Sequence, residues 1–258
     1  MSKSRALITG ASAGIGREFA WLLASEGRDL VLVARGAESL NAIADQIRAQ
    51  HAVEVEVQIA DLSNRGDLAR IEDRLRDTNS PIDVLINNAG LGLNQQFSTG
   101  DLEREQYLID LLIIAQMRLT HAAVSTMRAR GTGDVVLVSS VASFIAGGSY
   151  SAVKSWATVF VEGLAQELRG KGVRVSALCP GFTHTEFHER AGIAKHDIPS
   201  WMWLRADRMV AAGWADHHRG KVVSVPDWRY KSLVALIRIL PREVVRRVGF
   251  RARNHNRD

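Results

Sequence analysis

The chain has 258 residues, 46% of them apolar and 24% charged, with a formal net charge of +5 and a single cysteine. This composition excludes a disordered or low-complexity chain and provides for one large core, with roughly 70–75% of the unfolded chain's surface buried on folding. The lone Cys179 excludes an internal disulfide and fits a reducing, cytoplasmic setting.

From the start, Met1-Ser2-Lys3-Ser4 runs directly into an apolar strand, so no signal peptide is expected. No apolar run approaches the ~18 residues of a membrane span. Strands are expected at Arg5–Thr9, Asp29–Ala34, Val53–Ile59, Ile82–Asn87, Asp134–Ser139, Val173–Leu178 and Lys221–Val225. Most are continuous Val, Ile and Leu runs, the pattern of strands covered on both faces. Helical patterns fill the gaps at Ile15–Glu26, Ala37–Gln50, Arg65–Arg76, Leu102–Arg130 and Ser151–Arg169. The alternation predicts a single α/β domain over 1–258, a Rossmann-type doubly wound parallel sheet of about seven strands with helices on both faces. Val53-Glu54-Val55-Glu56-Val57 alternates strictly, so this third strand should lie at an edge, as the order 3-2-1-4-5-6 requires.

After the first strand comes Thr9-Gly10-Ala11-Ser12-Ala13-Gly14-Ile15-Gly16 and then a helix. Glycines let the backbone approach a pyrophosphate, and a helix N-terminus offers N–H donors and partial positive charge. The second strand ends at Arg35, where an arginine suits the 2′-phosphate of NADP and an acid would suit NAD; the plain alternative is a solvated loop charge. Asp61-Leu62 follows the third strand, and Asp61 alone also reads as a helix N-cap. Asn87-Asn88-Ala89-Gly90 ends the fourth strand, where Asn and Gly also make ordinary turns.

Tyr150-Ser151-Ala152-Val153-Lys154 opens a helix, which places Tyr150 and Lys154 on one face. A nearby ammonium favours a phenolate by ~1–3 pKa units, which makes such a tyrosine an effective acid or base. A serine hydroxyl at the end of the fifth strand, Ser140 or else Ser139, can hydrogen-bond a substrate carbonyl. Cys179-Pro180-Gly181-Phe182-Thr183-His184-Thr185 follows the sixth strand, and Cys179 itself reads as a small buried hydrophobe.

The G-x-x-x-G-x-G spacing, the Asn-Asn-Ala-Gly run and the Tyr-x-x-x-Lys pair together resemble the short-chain dehydrogenase/reductase family over about residues 5–185, in particular its ketoacyl-reductase-like members. The resemblance implies cofactor contacts from Gly10, Ser12, Ala13, Gly14, Ile15, Gly16, Arg35, Asp61, Leu62, Asn88, Ala89, Gly90, Tyr150, Lys154, Pro180, Gly181, Thr183 and Thr185. It implies a catalytic group of Ser140, Tyr150 and Lys154, and a homodimer or homotetramer through the helices at 102–130 and 151–169. Many members carry an asparagine in the long helix, which holds a water in a proton relay to the lysine; Leu112 stands at that position here.

Beyond Thr185 the chain departs from the family pattern, and a substrate lid is expected at about 185–220. Trp201, Trp203, Trp214 and Trp228 with Phe182, Phe187 and Met202 are expected to line an apolar pocket, although large aromatics also fill cores. The expected reaction is NADPH-dependent reduction of a bulky lipophilic ketone or ketoacyl substrate. The alternatives are an NAD(P)-dependent alcohol or steroid dehydrogenase and a cofactor-binding scaffold. No metal and no nucleic-acid partner are expected. The basic extension at 229–258 holds nine basic and two acidic residues, a net of +7 that leaves −2 for the rest. It fits a helix resting on an anionic membrane surface, or one packed on the domain or a second subunit.

Overall fold

Seven strands pair in parallel in the order β3-β2-β1-β4-β5-β6-β7. They are β1 (Arg5–Thr9), β2 (Asp29–Ala34), β3 (Val55–Ile59), β4 (Val84–Asn87), β5 (Gly133–Val138), β6 (Val173–Leu178) and β7 (Val223–Ser224). The structure is a computed structural model, and it describes residues 3–187 and 199–246. Every residue of β2 and β5 is buried, because helices cover both faces of the sheet. β3 lies at the edge, where Val55 is buried while Glu56 reaches out to Arg74 (2.9 Å), as its alternation requires.

The helices are α1 (Gly14–Ser25), α2 (Ala37–Gln50), α3 (Arg65–Arg76), α4 (Leu102–Ile109), α5 (Gln116–Arg130), α6 (Ser149–Glu167), α7 (Ala206–His218) and α8 (Trp228–Ile239). The expected single helix over 102–130 is instead α4 and α5 joined by a π turn, Asp110–Ala115. By composition Leu102–Arg130 is long and apolar enough to cross a bilayer, with a mean hydropathy of 1.3 over its most apolar window, contrary to the reading that no run approaches such a span. In the fold 56% of that window is buried, because the helix packs on α3 and the sheet. Leu112 lies in the π turn and is buried. Asn87, at the end of β4, donates from Nδ2 to the Gln116 carbonyl (3.0 Å) just after the turn.

Two expectations about the C-terminal third are corrected. The strand expected at Lys221–Val225 is only Val223–Ser224, at the outer edge beside β6. The segment 185–220 is not all lid. Residues 188–198 lie outside the described residues, but α7 buries Met209, Val210 and Trp214 and packs on α1 and β6. Trp214 meets Phe19 edge-on and donates from Nε1 to Glu26 (2.8 Å), so it is a core residue and not a pocket wall. Nearby, His217 bridges Ser176 of β6 (2.6 Å) and Asp134 of β5 (3.0 Å), and Asp134 also accepts from Arg174 Nε (2.7 Å). Burial alone would raise the Asp134 carboxyl, but the bonds from His217 and Arg174 outweigh it and hold its pKa well below the usual range.

Candidate active site and nucleotide cradle

All the motifs found in the sequence lie along the C-terminal edge of the sheet, from β3 to β6. There the strand order reverses at β1 and β4, the crevice where α/β sheets bind ligands. Gly10 turns the chain with φ of +66°, which a side chain would strain. A Cβ on Gly16 would stand 2.3 Å from the Gly10 carbonyl oxygen, so only glycine lets α1 start this close under the turn. Ala13 precedes α1 and provides no side-chain cap, which leaves the helix N-terminus for an anion. Ser12 is half-buried on this turn, and Ile15 packs against the core. Thr185 packs over Gly14. The crowded glycine pair and the uncapped helix start fit a dinucleotide pyrophosphate.

The Asn-Asn-Ala-Gly run supports this cradle from below. The Asn88 amide donates to the carbonyls of Thr9 (2.9 Å) and Gly10 (3.3 Å), while Thr9 Oγ1 accepts from the N–H groups of Asn88 and Ala89 (2.9 Å each). Asn88 therefore uses its side chain to hold the glycine turn. Ala89 packs against the core, and Gly90 is exposed with Leu112 nearby.

Arg35 is exposed at the end of β2 and donates from Nη1 to the Tyr107 hydroxyl (2.6 Å). Asp61 Oδ2 stands 3.8 Å from the same nitrogen. Arg35 is thus a positioned charge rather than a free loop residue, and Tyr107 went unnoticed in the sequence because one tyrosine in an amphipathic helix carries no signal. Asp61 does not cap α3: Asn64 does, accepting from Gly66 and Asp67. Asp61 Oδ1 instead accepts from the Ser63 N–H (3.0 Å) and hydroxyl (2.7 Å), and Leu62 is buried.

At the ends of β5 and α6 the reactive group assembles. Ser139 is buried, donates to the Lys154 carbonyl (2.9 Å) and pairs with Thr158 Oγ1 (2.9 Å), so its hydroxyl is fully used. Ser140 faces the other way. It accepts from the Ala142 N–H (3.1 Å) and faces the Tyr150 phenol as a hydrogen-bond partner. Lys154 is buried, donates from Nζ to the Val138 carbonyl (2.7 Å), and lies 5.8 Å from the centre of the Tyr150 ring. Burial raises the Tyr150 phenol, outweighing the pull of Ser140, and burial lowers the Lys154 ammonium to about 8. The expected lowering of the tyrosine by the lysine is absent from the free chain, where desolvation is the largest effect on both groups. Tyr150 therefore keeps its proton near neutrality, and a cation brought against the phenol would ready that proton for donation.

Phe187 lies 5.9 Å from the Tyr150 ring, and Trp203 lies 5.9 Å from Phe182 and stacks on His184 at 4.9 Å. These rings form the apolar side of the crevice. Trp201 and Trp228 do not join them, because both indoles point outward. Pro180 is buried, and its carbonyl accepts from the Val141 N–H (3.0 Å), tying this loop to the Ser140 turn. Thr183 is buried and donates to the Gly181 carbonyl (3.0 Å), shaping the loop from within. Thr185 Oγ1 accepts from the Phe187 N–H (3.3 Å). Tyr230, also unmarked in the sequence, fills the space beside Gly181, accepts from the Phe182 N–H (3.0 Å) and donates to the Met202 carbonyl (2.7 Å).

A parallel doubly wound sheet with a glycine cradle at its reversal point and a Ser-Tyr-Lys group beside it defines a dinucleotide-dependent oxidoreductase. The family model described as short chain dehydrogenase matches residues 4–195, and the chain belongs to that family. It is 35% identical to a short-chain dehydrogenase from Sphingobium yanoikuyae solved in complex with NADPH, with a TM-score of 0.83 over 92% of this chain and 96% of that one. A bulky-bulky ketone specific alcohol dehydrogenase from Comamonas testosteroni is 30% identical, with a TM-score of 0.80 over 93% and 96% of the two chains. A ketoacyl reductase, HetN, from a Nostoc species is 34% identical over 179 residues, 68% of this chain and 62% of that protein. The protein is a nicotinamide-dependent oxidoreductase acting on a small-molecule substrate.

Proposed function

We propose that this enzyme uses NADPH to reduce a bulky, lipophilic ketone or ketoacyl compound. The observation that carries this reading is the convergence of Ser140, Tyr150 and Lys154 beside an aromatic wall of Phe182, Phe187 and Trp203. A nicotinamide held in this cradle would supply the hydride for a carbonyl carbon. Ser140 would orient the carbonyl oxygen, Tyr150 would donate its phenolic proton to that oxygen, and Lys154 would steady the phenolate left behind and hold the nicotinamide ribose. Solvent then restores the Tyr150 proton. Gly10, Ser12, Ala13, Gly14, Ile15 and Gly16 would receive the pyrophosphate, Asp61 and Leu62 would hold the adenine, and Arg35 would pair with the 2′-phosphate. The complex of the Sphingobium relative with NADPH and the ketone specificity named for the Comamonas relative support the assignment. Exposed Val159 on α6 and Met117 on α5 support self-association through these helices.

The test is a side-by-side titration of NADPH and NADH followed by NADPH oxidation with aryl ketones of graded size. Tighter NADPH binding and turnover that rises with ketone bulk are expected. Preference for NADH, or turnover confined to small ketones, overturns the reading.

A further inference from the structure

The outer face of α8 carries apolar side chains that no part of the described fold covers. Trp228 is 73% exposed, Leu236 50% and Ile239 79%. These positions recur at helical spacing on one side, while Tyr230 and Val234 face inward. Trp201, 62% exposed, adjoins this face, because Arg229 donates from its guanidinium to the Trp201 carbonyl. The helix cannot roll to hide its apolar side, since Tyr230 is held by Phe182 and Met202 and the Arg238 guanidinium lies 5.1 Å over the Phe144 ring.

On α8 and just beyond it, Lys231, Arg242 and Arg246 are exposed and form no ion pair among the described residues, while Arg238 is engaged with the Phe144 ring. Glu243 is the one acid between Trp228 and Arg246. Outward tryptophans, an apolar stripe and a cationic flank are the chemistry of a helix lying in the headgroup region of an anionic bilayer. A second copy is a poor occupant, because a twofold contact would bring two sets of these cations together with only Glu243 from each copy to offset them.

We propose that α8 and the Ser200–Met202 turn form a docking surface for an anionic lipid bilayer. Docking there sets Trp203 and Phe182, and so the mouth of the crevice, against the lipid. The surface stands independently of the assigned reaction, which NADPH binding checks separately.

The full-length protein is pelleted with vesicles of phosphatidylcholine alone and of phosphatidylcholine mixed with phosphatidylglycerol, following tryptophan emission as well. Binding confined to the phosphatidylglycerol vesicles, a blue-shifted emission and release by salt are expected. Each cation near an anionic surface contributes on the order of fivefold in affinity, so Lys231→Glu with Arg242→Glu should weaken binding at least tenfold. Trp228→Ser with Ile239→Ser should abolish it, with NADPH binding kept in both variants. Equal binding to both vesicle types, binding to neither, or unchanged binding by these variants overturns the proposal. So does a fall in oligomer mass in the Trp228→Ser, Ile239→Ser protein, which would assign the face to a second copy.

Discussion

The two ends of the crevice are built by different means. The cofactor end, from β1 to β4, is main-chain architecture: a glycine turn, an uncapped helix start and the Asn88 amide that ties two carbonyls together. The end proposed for the substrate, from β6 to α8, is built from large side chains leaning on one another, with Tyr230 holding two loop segments and Trp203 layered on His184 and Phe182. Main-chain sites tolerate almost no variation, because a single Cβ on Gly16 would collide with Gly10. Side-chain sites are open to revision, and the contrast explains how one cofactor end serves many substrates.

The contrast can be broken by substitution, and the largest effect is expected where the two ends meet. Tyr150→Phe should lower kcat/KM by about 10²–10⁴, the usual contribution of a positioned acid, while the NADPH dissociation constant stays within twofold. Arg35→Ala should act on the cofactor end alone, raising the NADPH dissociation constant by about 10–100-fold, the worth of a charged hydrogen bond, with NADH binding unchanged. Trp203→Ala should act on the substrate end alone, raising KM for bulky ketones severalfold and leaving NADPH binding as it was. A Trp203 variant that loses NADPH affinity would dissolve the distinction between the two ends.

The smallest effects are those of pH, and they belong to the junction. Lys154 titrates at about 8 in the folded chain, so kcat/KM for reduction should fall above about pH 8, while Tyr150 stays protonated. The folded Lys154 lies below its unfolded value of about 10.4, so the unfolded chain binds more protons between those limits and stability should rise with pH across them. Tyr150 is shifted upward, so the unfolded chain loses its phenolic proton first and stability should fall above about pH 10. Thermal melts of the free protein from pH 7 to 11 would check the maximum, and Lys154→Met should remove the rise.

The same division decides what was legible in the sequence. β1 and β2 stand where the Val, Ile and Leu runs place them, because strands buried on both faces write their environment directly into composition. The cofactor motifs were visible for the same reason, since a glycine required by geometry is a letter that cannot change. Leu102–Arg130 read as one helix because a π turn needs no special residue, and Leu112 gives no hint of it. The aromatic residues misled most. Trp214, Trp203 and Trp201 are the same letter, yet one is core, one lines the crevice and one faces outward. Only packing across distant segments separates them. Arg35 was noticed and Tyr107 was not, because a charge at a strand end is conspicuous and its aromatic partner 72 residues away is ordinary.

The bridge from Ser176 through His217 to Asp134 contains the three residue types of a hydrolytic triad, at distances a geometric search would accept. All three are buried, and the imidazole joins α7 to the middle of the sheet. A proton could pass along this chain of bonds, but no scissile bond can reach the serine. Access to the outside, and not the constellation itself, separates a clasp from a catalyst, and this fold carries one of each within a single sheet.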